Sequence, residues 1–152
     1  MTIHIQNASS IKSIPTINKM KSWATQALKA KNKDAEVTIR IVDEDEGREL
    51  NKTWRNKDYA TNVLSFPVGE TIEQAPDFLG DIVICVQVVE REAKEQGKDI
   101  EAHWAHLIVH GILHIQGYDH EIESEADIME AKEILILKKI GYANPYKAEL
   151  QE

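Results

Sequence analysis

The chain has 152 residues, 42% hydrophobic and 29% charged, with seven glycines and four prolines, which suits one ordinary globular domain and argues against extended disorder. Its formal charge of -8 excludes a simple polycation that coats nucleic acid, but the charge is uneven: residues 1–40 carry seven Lys or Arg against two Asp or Glu, and the remainder eleven against twenty-four. The longest apolar run, Ile82 to Val86, falls far short of the roughly 20 residues of a membrane helix. The N-terminus lacks the features of a signal peptide, and the one cysteine, Cys85, cannot close an internal disulfide and reads as a small buried hydrophobe. These features predict one domain over residues 1–152, cytoplasmic and outside the membrane.

Ile3 and Ile5 alternate with polar residues and predict a strand over about 2–8. After Pro15, Ile17, Met20, Trp23, Ala24, Ala27 and Leu28 recur at helical spacing, ended by the Lys29 to Asp34 stretch. Val37, Ile39 and Ile41 mark a β-branched strand. Asp43 to Glu46 place carboxylates at the start of a second helix, with Leu50 and Trp54 on its buried side and an end near Asn56. Thr61 to Phe66 reads as a short strand closed by Pro67, followed by a loop through Pro76. Leu79 to Val86 is the near-continuous apolar run of a strand covered on both faces, central to the sheet.

Residues 87–96 suit a helix stopped by Gly97, and Asp99 is positioned to cap the next, about 100–116. Ser124 and Asp127 resemble a capping box before a last helix that Gly141 ends, and Asn144-Pro145 starts a tail. The order predicts an α+β fold: a small mixed sheet of about four strands packed with five or six helices, with a metal site on a late helix and the turn after it.

That site rests on His110-Gly-Ile-Leu-His114-Ile-Gln-Gly117-Tyr-Asp-His120. Residues four apart share a helical face, so His110 and His114 can aim at one point. His120 lies ten residues past His110, which is roughly 15 Å along a continuing helix, so it joins them only if the chain turns back. Gly117 allows that turn through a left-handed conformation. Three imidazoles around one zinc ion leave a fourth position for water, the catalytic arrangement. The spacing equals that of the metzincin proteases, but their general-base glutamate is replaced by Gly111. Peptide hydrolysis is therefore disfavoured.

His103 and His106 share roughly the same face as His110 and read as satisfied core histidines, His106 being able to orient a ligand from behind. Asp119 is able to hold the turn. Glu121, Glu123, Glu125 and Asp127 read as compensation of a helix dipole rather than as extra ligands. Lys52, Arg55 and Lys57 gather around Trp54 in an otherwise acidic half. Arg55 offers a planar fork for a phosphate if it reaches the metal site.

With T-W-R-N-K-D-Y-A-T-N-V-L-S-F-P, L-G-D-I-V-I-C and E-A-H-W-A-H upstream of the histidine motif, the chain from about residue 36 to the Asn-Pro-Tyr tail resembles the bacterial YbeY family of rRNA-maturation endoribonucleases. The resemblance implies a small metalloprotein with zinc on His110, His114 and His120. It also implies single-stranded RNA as substrate, a catalytic role for Arg55, and action in 16S rRNA 3′-end maturation and ribosome quality control. RNA of the small ribosomal subunit is then the partner. The expected reaction is metal-activated phosphodiester hydrolysis. The alternatives are a ribosome-associated assembly or binding factor with a structural metal, and a metal-dependent hydrolase of another substrate such as a peptidase.

Overall fold

The computed structural model describes residues 2–68, 77–117 and 123–146. Its elements are β1 (Thr2–Asn7), α1 (Ile17–Ala27), a 3₁₀ turn (Ala30–Asn32), β2 (Glu36–Val42), α2 (Glu44–Arg55), β3 (Val63–Pro67), β4 (Phe78–Cys85), α3 (Val86–Gln96), α4 (Ile100–Ile115) and α5 (Glu123–Lys139). The sheet runs β1-β2-β4-β3, with β1, β2 and β4 parallel and β3 antiparallel at one edge. This is the α+β fold with a small mixed sheet that the sequence predicts. Some details differ. Strand β3 runs Val63–Pro67 instead of Thr61–Phe66, and Trp54, expected on the buried side of α2, is 62% exposed. The run ending at Val86 is cut at Cys85, because Val86 already starts α3 with no loop between. Ser124 lies inside α5 and so does not cap it. The expected loop before Pro76, the turn at 118–122 and the tail beyond Tyr146 lie outside the described residues.

The core follows from strand alternation. Val37, Ile39 and Ile41 of β2 point to one face and are fully buried, and the register sets Ile39 beside Ile82 and Ile41 beside Ile84. That β-branched patch receives Met20, Trp23 and Ala24 of α1 and Ile108 and Ile112 of α4. Each such side chain contributes about 1.5–3 kcal/mol by leaving water. On the opposite face a smaller cluster of Val42, Leu64, Val83, Cys85 and Val88 packs under Leu50 of α2. Strand β4 is thus covered on both sides, and burial pushes the Cys85 thiol pKa up.

Helix α4 crosses this sheet as its central support. Asp99 caps it, its carboxylate accepting from the Ala102 amide at 3.2 Å. Trp104, Ala105, Leu107, Ile108, Val109, Ile112, Leu113 and Ile115 are all buried, as expected of a helix that is apolar nearly all round. Its far end is tied down by Gln116. The Gln116 side-chain oxygen accepts from the Lys29 amide at 2.8 Å and the Asn32 side chain at 2.9 Å, while its NH2 donates to the carbonyls of Ala27 and Ile112. Gly117 follows at φ +104°.

Gly111 sits where α4 lies on β4. A Cβ there would come within 3.0 Å of Ile82 Cδ1 and Cγ2, and Ile82 is fully buried. Gly111 therefore faces the sheet rather than a metal, and the protease glutamate has no equivalent place to act. Restoring it with Gly111→Glu forces a carboxylate into packed apolar space, a change expected to cost about 3 kcal/mol or more. Urea denaturation should register that loss, and no peptidase activity should accompany it.

Candidate metal centre

Along α4, His103, His106, His110 and His114 recur at spacings of three, four and four, forming the polar line of an otherwise apolar helix. His103, 4% exposed, places Nε2 2.9 Å from a Glu92 oxygen. His106 and His110 meet one carboxylate instead: Glu133 Oε1 lies 2.8 Å from His106 Nε2 and 3.0 Å from His110 Nδ1. The Tyr146 hydroxyl donates to the same group, 3.1 and 3.0 Å from its two oxygens. Glu133 is fully buried.

Burial alone would raise the Glu133 pKa, but the hydrogen bonds and charges of His106 and His110 outweigh it and hold it at about 2. The carboxylate is therefore ionised and can only accept. This assigns the protons: His106 donates from Nε2 and His110 from Nδ1. Desolvation lowers the His106 pKa against the opposing pull of Glu133, which favours the neutral ring. Its buried Nδ1 has no hydrogen-bond partner among the described residues. Burial first, then the charge and hydrogen bond of Glu133, raise the Tyr146 hydroxyl pKa and keep it a donor.

His106, His110 and Glu133 each offer a ligand atom, all within 4.8 Å of one another, and so form a group able to hold a metal ion. The separations distinguish two uses of it. Two ligands of one tetrahedral zinc stand about 3.3 Å apart, given bonds near 2.0 Å, whereas 2.8 and 3.0 Å to a single oxygen are hydrogen-bond distances. With Nδ1 of His110 facing Glu133, its Nε2 lies on the opposite side of the ring. That is the carboxylate–histidine pairing that orients metal-binding imidazoles. His114 stands one turn on, its ring centroid 6.3 Å from that of His110 and its plane inclined by 39°. The donor set thus suits a metal. The third sequence-predicted ligand, His120, lies outside the described residues, as do Asp119 and Glu121.

His114 also lines a cavity of about 600 Å³ together with Asn51, Arg55, Lys57, Tyr59, Thr61, Val63 and Leu64. The cavity is shaped by the end of α2. Asn56 takes a left-handed conformation and turns the chain back, and the buried Asn51 side chain donates to the Tyr59 carbonyl at 2.7 Å. Arg55 is fixed within it: Nη2 donates to the Ser65 carbonyl at 2.7 Å, Nη1 to the Trp54 carbonyl at 3.2 Å, and the guanidinium lies 5.1 Å from the Phe66 ring centre. The structure thus puts Arg55 and His114 on one wall system whose described lining holds two cations and no carboxylate. Glu133 and Tyr146 are the polar partners that the sequence reading missed. Met129, Glu133 and Leu137 fall at steps of four and are all buried, so a carboxylate within the apolar stripe was the available signal.

The family model described as Endoribonuclease YbeY matches residues 4–141. The chain is 52% identical to the Endoribonuclease YbeY of Pseudomonas fluorescens over 148 residues, covering 96% of each. It is 54% identical to that of Stutzerimonas stutzeri, covering 91% of this chain and 87% of the relative. The solution structure of a Thermotoga maritima protein superposes with a TM-score of 0.66 at 30% identity, covering 91% of this chain and 89% of that one.

The buried carboxylate predicts acid sensitivity. Because Glu133 titrates at about 2 when folded against 4.5 ordinarily, its contribution is complete above pH 4.5 and is lost as pH falls toward 2, by up to about 3 kcal/mol. Urea midpoints of metal-free protein between pH 6 and 3 should fall more steeply for wild type than for Glu133→Gln.

Proposed function

The chain belongs to the YbeY family, and on that premise we propose that it is a metal-dependent endoribonuclease cutting single-stranded RNA. Its place is in 16S rRNA 3′-end maturation and ribosome quality control, in the cytoplasm, on RNA of the small ribosomal subunit. Residues 1–152 act as one metallohydrolase domain. No described helix is long and apolar enough to cross a membrane.

The observation that carries this reading is Arg55 and His114 lining one cavity. His110, His114 and His120 would hold the ion, and zinc suits that set of imidazoles. Bound there, zinc supplies Lewis acidity and lowers the pKa of a coordinated water toward roughly 7. Glu133 keeps the His110 ring turned and its proton on Nδ1. Arg55 presents its unused N–H donors to a phosphodiester oxygen and stabilises the charge that gathers on it. Lys57 adds a second cation to the same cavity. Among the described residues that lining holds no carboxylate, and Gly111 is turned to the sheet, so neither supplies a side-chain base. The products identify the nucleophile: a 2′,3′-cyclic phosphate means attack by the RNA 2′-hydroxyl, and a linear phosphate made without a cyclic intermediate means attack by water.

On a 16S rRNA 3′-end substrate, Arg55→Ala should lose about 10²–10³-fold in rate, the usual loss for one transition-state donor. His114→Ala should lose both cleavage and zinc. Equal cleavage by wild type and both variants would refute the assignment. His106→Gln separates the two metal arrangements: in zinc titrations it should bind within about tenfold of wild type, whereas a ligand set of His106, His110 and Glu133 requires binding to collapse.

A further inference from the structure

Helix α2 ends between two cavities, and adjacent residues enter each. Arg55 faces the His114 cavity, while Trp54 lines a second, of about 640 Å³, on the face of the sheet covered by α2, with Leu50, Phe66, Phe78, Asp81 and Val83. Trp54 is 62% exposed, although Trp23 and Trp104 are 4% and 1% exposed. Its ring meets Phe66 at 76° with centres 6.3 Å apart, an edge contact that leaves most of the indole in solvent. The Phe66 ring is in turn occupied by the Arg55 guanidinium. An open indole face beside a phosphate-binding arginine is the arrangement that single-stranded nucleic acid uses, backbone on the cation and base on the ring.

Charge divides the two cavities the same way. Arg55 and Lys57 line the first, with no acid among the described lining residues. The second carries Asp81, opposite Phe66 in the strand register, and Arg40 there is already engaged by Glu46 at 2.7 and 3.0 Å. Phosphate is favoured in the first and repelled from the second, whereas an uncharged heterocycle suits the aromatic walls of the second.

We propose that Trp54 and the aromatic cavity beside it form a nucleobase subsite, stacking one unpaired base of the RNA next to the phosphate held by Arg55. The proposal rests on the endoribonuclease reading and deepens it. Paired bases cannot reach the ring without leaving their stack, so the subsite selects single strands.

The test uses zinc-loaded wild type, Trp54→Ala, Trp54→Leu and Trp54→Phe for cleavage, and the metal-free form of each for binding. Trp54→Ala should raise KM and the Kd for single-stranded RNA about tenfold or more, the loss typical of one stacked base, with kcat within about threefold. Trp54→Phe should recover most of that loss and Trp54→Leu should not, since only the former keeps a π face. Because the other two tryptophans are buried, unlabelled RNA should quench the fluorescence of the Trp54 indole and shield it from acrylamide. Unchanged RNA affinity in Trp54→Ala, with wild type binding normally, overturns the subsite alone and leaves the exposed ring to a protein partner. Absence of RNA binding by wild type and variants alike overturns the endoribonuclease reading with it.

Discussion

Helix α4 is enclosed on nearly every side, and that enclosure decides where chemistry is possible. A histidine on such a helix cannot satisfy its ring nitrogens with water, so it meets a protein group or leaves a buried polar atom exposed to no partner. Glu92 answers His103, and Glu133 answers both His106 and His110. A fully buried carboxylate is costly by itself. Three donors converge on Glu133, and against the desolvation that would raise it His106 and His110 hold its pKa below the ordinary carboxylate value. The contact that fixes the imidazoles thereby also docks α5 on α4, with Met129 and Leu137 buried one turn on either side.

That arrangement grades the polarity of the helix along its length. The N-terminal histidines are consumed by carboxylates and belong to the structure. Toward the C-terminal end the line opens: the His106 side chain is 12% exposed and the His110 side chain 23%, and His114 reaches a cavity lined by the cations Arg55 and Lys57. The overall charge of -8 is therefore no obstacle to holding a polyanion. Acidic side chains dominate the chain, but none is among the described residues lining the cavity where a phosphate would sit, and local potential rather than net charge governs a cleft of this size.

Much of this was legible in sequence. The apolar spacing of α1, the β-branched run of β2 and the two-sided burial of β4 are local patterns, and they were read with their order intact. His103 and His106 read as satisfied core histidines; each meets a carboxylate through Nε2, but the buried Nδ1 of each has no hydrogen-bond partner among the described residues. The partners themselves were not legible, because Glu133 lies 27 residues from His106 and 23 from His110, and nothing in periodicity says which helix will lie beside which. Gly111 shows the same limit from the other side. Its identity told against a protease, but its reason is Ile82, a strand residue distant in sequence that leaves no space for a Cβ. The Ser124 cap failed because a capping pattern is short enough to recur within a helix that begins earlier.

Arg55 illustrates how the fold converts a motif into a positioned group. As an exposed arginine at a helix end it would lose considerable side-chain entropy on gripping a phosphate. Here the guanidinium is already folded back onto the Ser65 and Trp54 carbonyls and laid against Phe66, so that ordering occurs when the chain folds rather than when the substrate binds. Arginine has five N–H donors, and two of them are engaged, leaving three for a ligand in a fixed plane. A lysine at this position could neither bridge two carbonyls with a planar fork nor keep separate donors pointed into the cavity. The residue type is thus set by the need to be anchored and to bind at once, and strand β3 supplies the anchor through Ser65 and Phe66.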